Sequence, residues 1–198
     1  MSAIFDRFIS EHQATGRAKL DGYTLEGLET LEGQERQDAI AILKSEIIHN
    51  AWGVEALARI DRQEAVEALK SALDGWSPEQ QRSAFQAYFW LWQLTNEEVY
   101  AQKFCLCRSY LREDQETKVI EYYSHAARGV ASSTITAMLK QAVLTETNDV
   151  GLSTAIRALL AKHGISFQNP QTKAEFIAKR KILIEGSSSQ KANLLAQL

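Results

Sequence analysis

Apolar residues recur along this chain every three or four positions, the spacing that gathers them on one face of an α-helix. The alternation of β-branched and polar residues that would indicate strands is nearly absent. The pattern predicts a succession of short helices: AIFDRFISEHQA, TLEGLETL, QERQDAIAILKSEII, WGVEALARI, RQEAVEALKSALDG, SPEQQRSAFQAYFWLWQL, NEEVYAQKFCLCRSYL, ETKVIEYYSHAARGV, SSTITAMLKQAVLTE, DVGLSTAIRALLAKHG and NPQTKAEFIAKRKILIEG. Short helices joined by short turns pack as antiparallel neighbours, so we expect an all-α fold.

The helix starts are marked by capping residues. Ser77 precedes Pro78 and Asn169 precedes Pro170, and proline favours the first helical position after a capping side chain. The same residue types predict further caps at Asn96 and at Ser132 or Ser133. The final segment, SSSQKANLLAQL, is polar and then weakly helical, and we expect it to fray.

The helices come in pairs with a loose period. Val54, Phe85, Ile120 and Ala155 occupy equivalent places in successive pairs, at intervals of 31, 35 and 35 residues. Repeats of this length are typical of helical solenoids, in which each pair buries its apolar face against its neighbours.

One stretch resembles a known repeat family. Residues 53–75, GVEALARIDRQEAVEALKSALDG, have a helix, a tight turn around an Ile-Asp pair and a second helix of the form xEAVxALxxAL, a pattern similar to the bacterial type of HEAT repeat. The resemblance implies a right-handed α-solenoid of about four to five HEAT-like antiparallel helix pairs. It also implies that the second helix of each pair lines a concave surface that binds a partner, here 62–74, 96–112, 132–146 and 170–185.

These expectations give one helical-repeat domain over 1–198. HEAT-like pairs fill 51–186 and a tail follows at 187–198. Residues 1–50 form N-terminal helices, and two alternatives stay open for them: true repeats or a cap.

The run FQAYFWLWQL is too apolar for a surface helix. It places five large residues in succession: Tyr88, Phe89, Trp90, Leu91 and Trp92. In a stack of helix pairs, the first helix of a pair is covered by its partner and by both neighbouring repeats, so it can be apolar all round. Two alternatives remain: all five are internal, or Tyr88 or Trp90 lies partly open as a binding anchor.

Charge is distributed unevenly along the chain. Residues 1–121 hold 21 Asp or Glu and 13 Lys or Arg, a balance of −8, whereas residues 122–198 hold 4 and 9, a balance of +5. Lys179, Arg180 and Lys181 form the one basic cluster, too small a footprint to rank nucleic acid above protein as a partner.

No apolar run approaches the roughly 20 residues that span a bilayer, and charged residues interrupt the N-terminus where a signal peptide would be apolar. We therefore expect a cytoplasmic protein with no membrane partner.

The familiar chemical motifs are missing from the sequence, with no phosphate-binding loop, HExxH, CxxC or GxSxG. Glu121 and His125 are four residues apart and could share a metal, but a contact within one helix is the commoner outcome. Cys105 and Cys107 point about 200° apart on a helix, so they predict two reduced, buried thiols. We expect no cofactor, no bound metal and no catalytic residue.

The candidate partner-binding residues lie on the outward faces of two second helices. On 62–74 the apolar side chains share one face, which leaves an acidic rim that would steer a basic partner. The candidates are Glu64, Glu67, Ser71, Asp74, Trp76, Glu97, Glu98, Tyr100 and Lys103.

The sequence favours a non-enzymatic protein-binding module, and the most specific hypothesis is a bacterial immunity protein that neutralises a cognate toxin. Its small size, a repeat unit with no enzyme attached and an acidic first part that could cover a basic toxin surface motivate this hypothesis. The alternatives are a HEAT-like enzyme, acting in DNA base excision or as a pigment lyase, and a housekeeping adaptor or scaffold.

Overall fold

The computed structural model describes residues 2–15, 22–47, 51–74, 84–112 and 115–198. Within these residues all regular secondary structure is helical and no strand occurs, so the all-α prediction is confirmed. The α-helices are α1 (Ala3–Gln13), α2 (Gly33–Glu46), α3 (Ala51–Ile60), α4 (Arg62–Asp74), α5 (Ala84–Thr95), α6 (Glu98–Leu106), α7 (Glu116–Arg128), α8 (Ser133–Thr145), α9 (Asp149–Lys162), α10 (Lys173–Glu185) and α11 (Ser188–Gln197). Single 3₁₀ turns cover Leu28–Thr30 and Cys107–Tyr110. The helix predicted over TLEGLETL is therefore wrong: Gly27 adopts a left-handed conformation, with φ 85°, and only one 3₁₀ turn follows it. No helix in the described ranges has the length and apolar character needed to cross a membrane.

One helix start is capped as its sequence predicts, and another cap was not predicted. The Ser132 hydroxyl accepts a hydrogen bond from the backbone N–H of Ile135, at the start of α8. Ser187 forms a full capping box with Gln190, and the α11 that follows buries Leu194 and Leu195. The C-terminal segment is therefore a packed helix, and the prediction that it frays is wrong, because the capping box and the two leucines hold it.

Two predicted caps are wrong. Asn96 adopts the left-handed conformation, with φ 57°, and Glu97 takes the N-cap position of α6. The Asn169 side chain accepts from the N–H of Gln171, which makes a local turn of the kind asparagine favours. Because of that turn, α10 begins at Lys173 instead of at Pro170. The Ser77–Pro78 prediction lies outside the described residues.

The chain divides into two compact units, 1–80 and 81–198. In the first unit α2 packs on α3, and α3 on α4. The Ile-Asp pair has a clear role there: Ile60 is buried, while the Asp61 carboxylate accepts from the N–H groups of Gln63 and Glu64 at the start of α4. These backbone hydrogen bonds, together with the Arg36 guanidinium 2.5 Å away, lower the pKa of Asp61. The tight turn is thus fixed by one buried apolar side chain and one capping carboxylate.

In the second unit, helices pack on the next-but-one helix as well as on their chain neighbours. Helix α5 packs on α6 and α7, α7 packs on α9, and α6 packs on α8. The helices α5, α7 and α9 therefore form one layer, and α6 and α8 form another. Helix α10 packs on α9, and α11 packs on α10.

The core between these layers is aromatic. The Phe104 and Tyr122 rings stack with their centroids 4.5 Å apart, and Phe85 meets both rings edge-on. Phe89 and Trp92 are buried beside them, with exposures of 5% and 0%. The apolar run of α5 is therefore mostly internal, as the helix-stack interpretation requires.

Two members of that run are less deeply placed. Tyr88 and Trp90 are half-buried, in contrast to Phe89, Leu91 and Trp92. The Nζ of Lys103 lies 5.6 Å from the Tyr88 ring centroid. Tyr88 and Trp90 are thus only partly internal, and the role of either as a binding anchor stays a prediction.

The Trp92 side chain of α5 is enclosed at the point where α7 ends, next to Gly129. A Cβ atom on Gly129 would lie 2.1 Å from Cζ3 of Trp92, so only a residue without a side chain fits there. The Lys162 ammonium lies 5.4 Å from the centre of the Trp92 ring and donates to the carbonyls of Gly129 and Val130. Helices α5, α7 and α9 are joined at this point by close packing and by a cation above an aromatic ring.

The replacement Gly129→Ala is expected to lower the free energy of unfolding by about 1–3 kcal/mol, because the added methyl group overpacks the Trp92 site. Gly164→Ala is the matched control. Its φ of 71° strains any side chain, but no atom lies within 4 Å of the added Cβ, so we expect a loss of about 1 kcal/mol. Urea unfolding followed by circular dichroism measures both values, and a smaller loss for Gly129→Ala than for Gly164→Ala would contradict the packing described for Trp92.

Candidate functional site

The predicted binding positions on α4 differ in solvent exposure and in ion pairing. Glu67, Ser71 and Asp74 are exposed. Glu64 is half-buried, and its carboxylate lies 2.7 Å from the Nζ of Lys44 on α2. This pairing satisfies the Glu64 charge within the unit, so Glu64 is less available to a partner than the sequence suggests. Trp76 lies outside the described residues.

The second predicted group lies on or next to α6, in the other unit. Glu97, Glu98 and Lys103 are exposed, and Tyr100 is half-buried. The structure therefore gathers each of the two predicted groups onto its own helix. Six of the eight described candidates are exposed, and the two half-buried ones are Glu64 and Tyr100.

Glu98 links two helices, a role that the sequence did not predict. Its carboxylate accepts from the Ser132 hydroxyl at 2.7 Å and from the Thr134 N–H at 3.2 Å. These two hydrogen bonds lower the pKa of Glu98 and tie α6 to the start of α8. A carboxylate at a helix N-terminus is stabilised by the unpaired N–H groups there.

Exposed apolar side chains on α6 and on the 3₁₀ turn after it were not among the sequence candidates. Val99, Leu106 and Tyr110 are 45%, 65% and 45% exposed. Val99 and Leu106 are seven residues apart, so they lie on the same side of the helix. Leu144 on the neighbouring α8 is 56% exposed. The signal available in the sequence was the seven-residue spacing of aliphatic residues on a second helix, on the face opposite to the buried Ala101 and Phe104.

A buried polar cluster joins the layer of α6 and α8 to α7. The guanidinium of Arg108 meets the Glu146 carboxylate through Nη2 at 2.6 Å and Nε at 3.1 Å, and the Tyr123 hydroxyl donates to the same carboxylate oxygen at 2.7 Å. The Glu146 side chain is only 6% exposed. Burial alone would raise the pKa of Glu146, but the hydrogen bonds from Tyr123 and Arg108 outweigh burial and hold it below its usual range. The cluster is therefore a salt bridge between an ionised Glu146 and Arg108, with the Tyr123 hydroxyl as a further donor.

The cluster borders a groove of about 430 Å³. Its walls come from α7, α8, the 3₁₀ turn and the residues after α8, and include Ser109, Met138, Gln141 and Thr145. Arg108 also donates to the carbonyl of Leu111. Because Arg108 and Glu146 already satisfy each other, the groove offers a ligand mainly hydroxyl, amide and apolar contacts.

The other candidate groups for chemistry are buried within the helices. His125 is 6% exposed, its Nδ1 lies 2.8 Å from the backbone carbonyl oxygen of Glu121, and burial lowers its pKa. The Glu121 carboxylate instead accepts from Gln86 and Lys118. The proposed Glu121–His125 pair is therefore a helix contact through the backbone. In the part of the chain that the structure describes, no three His, Cys, Asp or Glu side chains are placed to hold a metal ion.

The two cysteines are free thiols. Cys107 is buried and Cys105 is half-buried. Burial raises the pKa of each thiol to about 12. Both therefore remain protonated near neutral pH, which suppresses nucleophilic chemistry.

Comparison with known proteins identifies no relative: the chain matches no protein-family model, no curated protein and no solved structure.

The replacement Glu146→Gln is expected to lower the free energy of unfolding by about 1.5–3 kcal/mol at neutral pH, the range for hydrogen bonds to a charged group. A carboxyl with a depressed folded pKa contributes stability above its unfolded pKa and loses it as the pH falls through the folded value. The difference between the native chain and the variant should therefore shrink from neutral pH to about pH 3, measured by urea unfolding. Glu175→Gln is the control, because its exposed pair with Lys179 should contribute less than about 1 kcal/mol. A difference independent of pH would contradict an ionised Glu146.

Proposed function

We propose that this chain is a non-enzymatic protein-binding module, built as a right-handed α-solenoid of about four to five HEAT-like helix pairs. The layer of second helices, α6 and α8, would carry its binding face. The exposed apolar side chains of Val99, Leu106 and Tyr110 on α6 and the turn after it are the observation that carries the proposal.

The packing of the second unit supports the solenoid. In a solenoid each helix pair contacts the next pair, first helix on first helix and second on second. Contacts of α5 with α7, of α7 with α9 and of α6 with α8 are of that kind. The capped Ile60–Asp61 turn between α3 and α4 supports the HEAT-like interpretation of the first unit.

The composition of the α6 face supports a protein as the ligand. Exposed apolar side chains scattered singly are ordinary, but a group of them marks a contact surface. Three of the seven exposed large apolar side chains in the described ranges fall within residues 99–110. Lys103 lies between Val99 and Leu106 on the same side of α6, so a charged group adjoins these apolar side chains.

In its most specific form, the proposal is a bacterial immunity protein that neutralises a cognate toxin. The balance of −8 over residues 1–121 supports it, since an acidic surface speeds encounter with a basic partner. Glu67 and Asp74 on α4, and Glu97 before α6, are exposed carboxylates that could act in this way. Apolar contact at α6 would then hold the complex.

The binding face can be tested by placing a photocrosslinking phenylalanine derivative at Leu106 and expressing the full chain in its native host. We expect a crosslinked adduct with one defined protein. The matched control places the same derivative at Ile120, which is exposed at 37% on α7, in the other layer. Adducts that form equally at both positions, or at Ile120 alone, would show that α6 is not the binding face.

The immunity hypothesis is tested with the genes adjacent to the one that encodes this chain. We expect one adjacent product to arrest growth when expressed alone and to be tolerated when this chain is co-expressed. Leu106→Glu should abolish protection, because it places a charge in the apolar contact, whereas Ile120→Glu should preserve it. If no adjacent product is toxic, or if both variants protect fully, the toxin-neutralising role is wrong.

A further inference from the structure

A second cleft lies on the other layer of the second unit, between α7, α9 and the segment that leads into α10. It encloses about 240 Å³. Its floor is apolar and well packed: Tyr123, Ala158, Ile165 and Phe176 are each exposed by 6% or less. Tyr123 lines both this cleft and the groove beside Arg108 and Glu146, and the two linings share no other residue.

Two arginines belong to the lining of this cleft. Arg128, at the end of α7, and Arg157, on the exposed side of α9, both have exposed side chains. Among the residues that the structure describes, neither guanidinium has a hydrogen bond or an ion pair. The lining contains no aspartate or glutamate at all. An arginine that lacks an internal partner presents a planar fork of donors that matches a carboxylate.

The far wall of the cleft is held in place before any ligand arrives. The Thr172 hydroxyl accepts from the N–H of Ser166 at 3.0 Å and donates to the carbonyl of Ser166 at 3.1 Å. The Ser166 hydroxyl also contacts the side chain of Gln168 at 2.8 Å. A wall fixed by its own hydrogen bonds reduces the entropy that binding would cost.

The volume of the cleft and the residues next to it indicate which kind of anionic ligand fits. A volume of about 240 Å³ is smaller than the roughly 300–1,000 Å³ of sites that hold a drug-sized molecule. Just outside the cleft, Phe167 is 48% exposed, and its ring centroid lies 6.0 Å from that of Phe176 in the floor. An apolar surface that continues past a small cleft suits a chain that inserts one side chain and runs on along the surface. The balance of +5 over residues 122–198 favours an acidic chain.

We propose that this cleft binds an acidic peptide segment of a partner protein. One aromatic or aliphatic side chain of the segment enters the cleft above Ala158, Ile165 and Phe176. Carboxylates on either side of that side chain pair with Arg128 and Arg157. The site lies in the α7–α9 layer, away from the α6–α8 face, so either surface can fail its test without the other.

The probe is a fluorescein-labelled peptide with the sequence Glu-Glu-Phe-Glu-Glu, and its affinity for the full chain is measured by fluorescence anisotropy at two salt concentrations. We expect saturable binding that weakens as salt rises. The double variant Arg128→Gln/Arg157→Gln should weaken binding by about tenfold or more, because each lost charge-assisted hydrogen bond contributes roughly a factor of ten. Its circular dichroism spectrum should match that of the native chain.

The control variant, Lys181→Gln/Lys191→Gln, removes the same charge from α10 and α11, outside the cleft. It should weaken binding by less than about threefold. Equal losses in the two double variants would show attraction to the general positive charge and would overturn the proposal. If Arg128→Gln/Arg157→Gln does not fold, Arg128→Lys/Arg157→Lys replaces it; this variant keeps the charge but loses the planar fork, and unchanged affinity would count against the site.

Two further ligands separate the peptide from other anions. The peptide Glu-Glu-Gly-Glu-Glu should bind several-fold more weakly, because it has no side chain for the cleft, and equal binding would overturn the proposal. Benzoate and inorganic phosphate are tested as competitors. If either binds at the two arginines while the phenylalanine peptide does not bind, the site accepts a small anion and the peptide proposal is wrong.

Discussion

The stacked aromatic core between α5, α6 and α7 is the contact on which the second unit depends. Helix α5 is apolar around most of its circumference, so it is stable only when other helices cover it on several sides. Phe104 from α6 and Tyr122 from α7 supply that cover, and both rings meet Phe85. The same requirement explains why α5 contacts both the next helix and the one after it. Layered packing is therefore a consequence of one unusually apolar helix.

Polar contacts then fix how the layers meet. The Arg108–Glu146–Tyr123 cluster and the Glu98 bonds to Ser132 and Thr134 both connect helices that are far apart in sequence. Of the two carboxylates only Glu146 is buried, and it needs Arg108 and Tyr123 as partners because a lone buried charge is costly. Val99 and Leu106 lie on the side of α6 opposite to the buried Ala101 and Phe104. On α6, the residue that bonds to α8 and the exposed residues proposed to bind a partner are therefore different.

The two candidate surfaces of the second unit differ in chemistry. The α6 face is apolar with an exposed lysine, whereas the cleft between α7 and α9 combines an apolar floor with two free arginines. If one partner used both proposed surfaces, a wrong partner would have to match two unlike chemistries.

The sequence alone determined the all-α class, the approximate positions of most of the described α-helices, and most of the outward positions of α4 and α6. These properties are local, because helix periodicity depends on residues three and four apart. Only the tertiary structure decided that Glu64 pairs with Lys44, that Glu98 caps α8, and that Asn96 closes α5 in a left-handed conformation. It also decided which arginines stay unpaired: Arg108 meets Glu146, 38 residues away, whereas Arg128 and Arg157 meet no carboxylate among the described residues. Pairing over such distances depends on how helices pack in space, and one sequence carries no periodic signal for it.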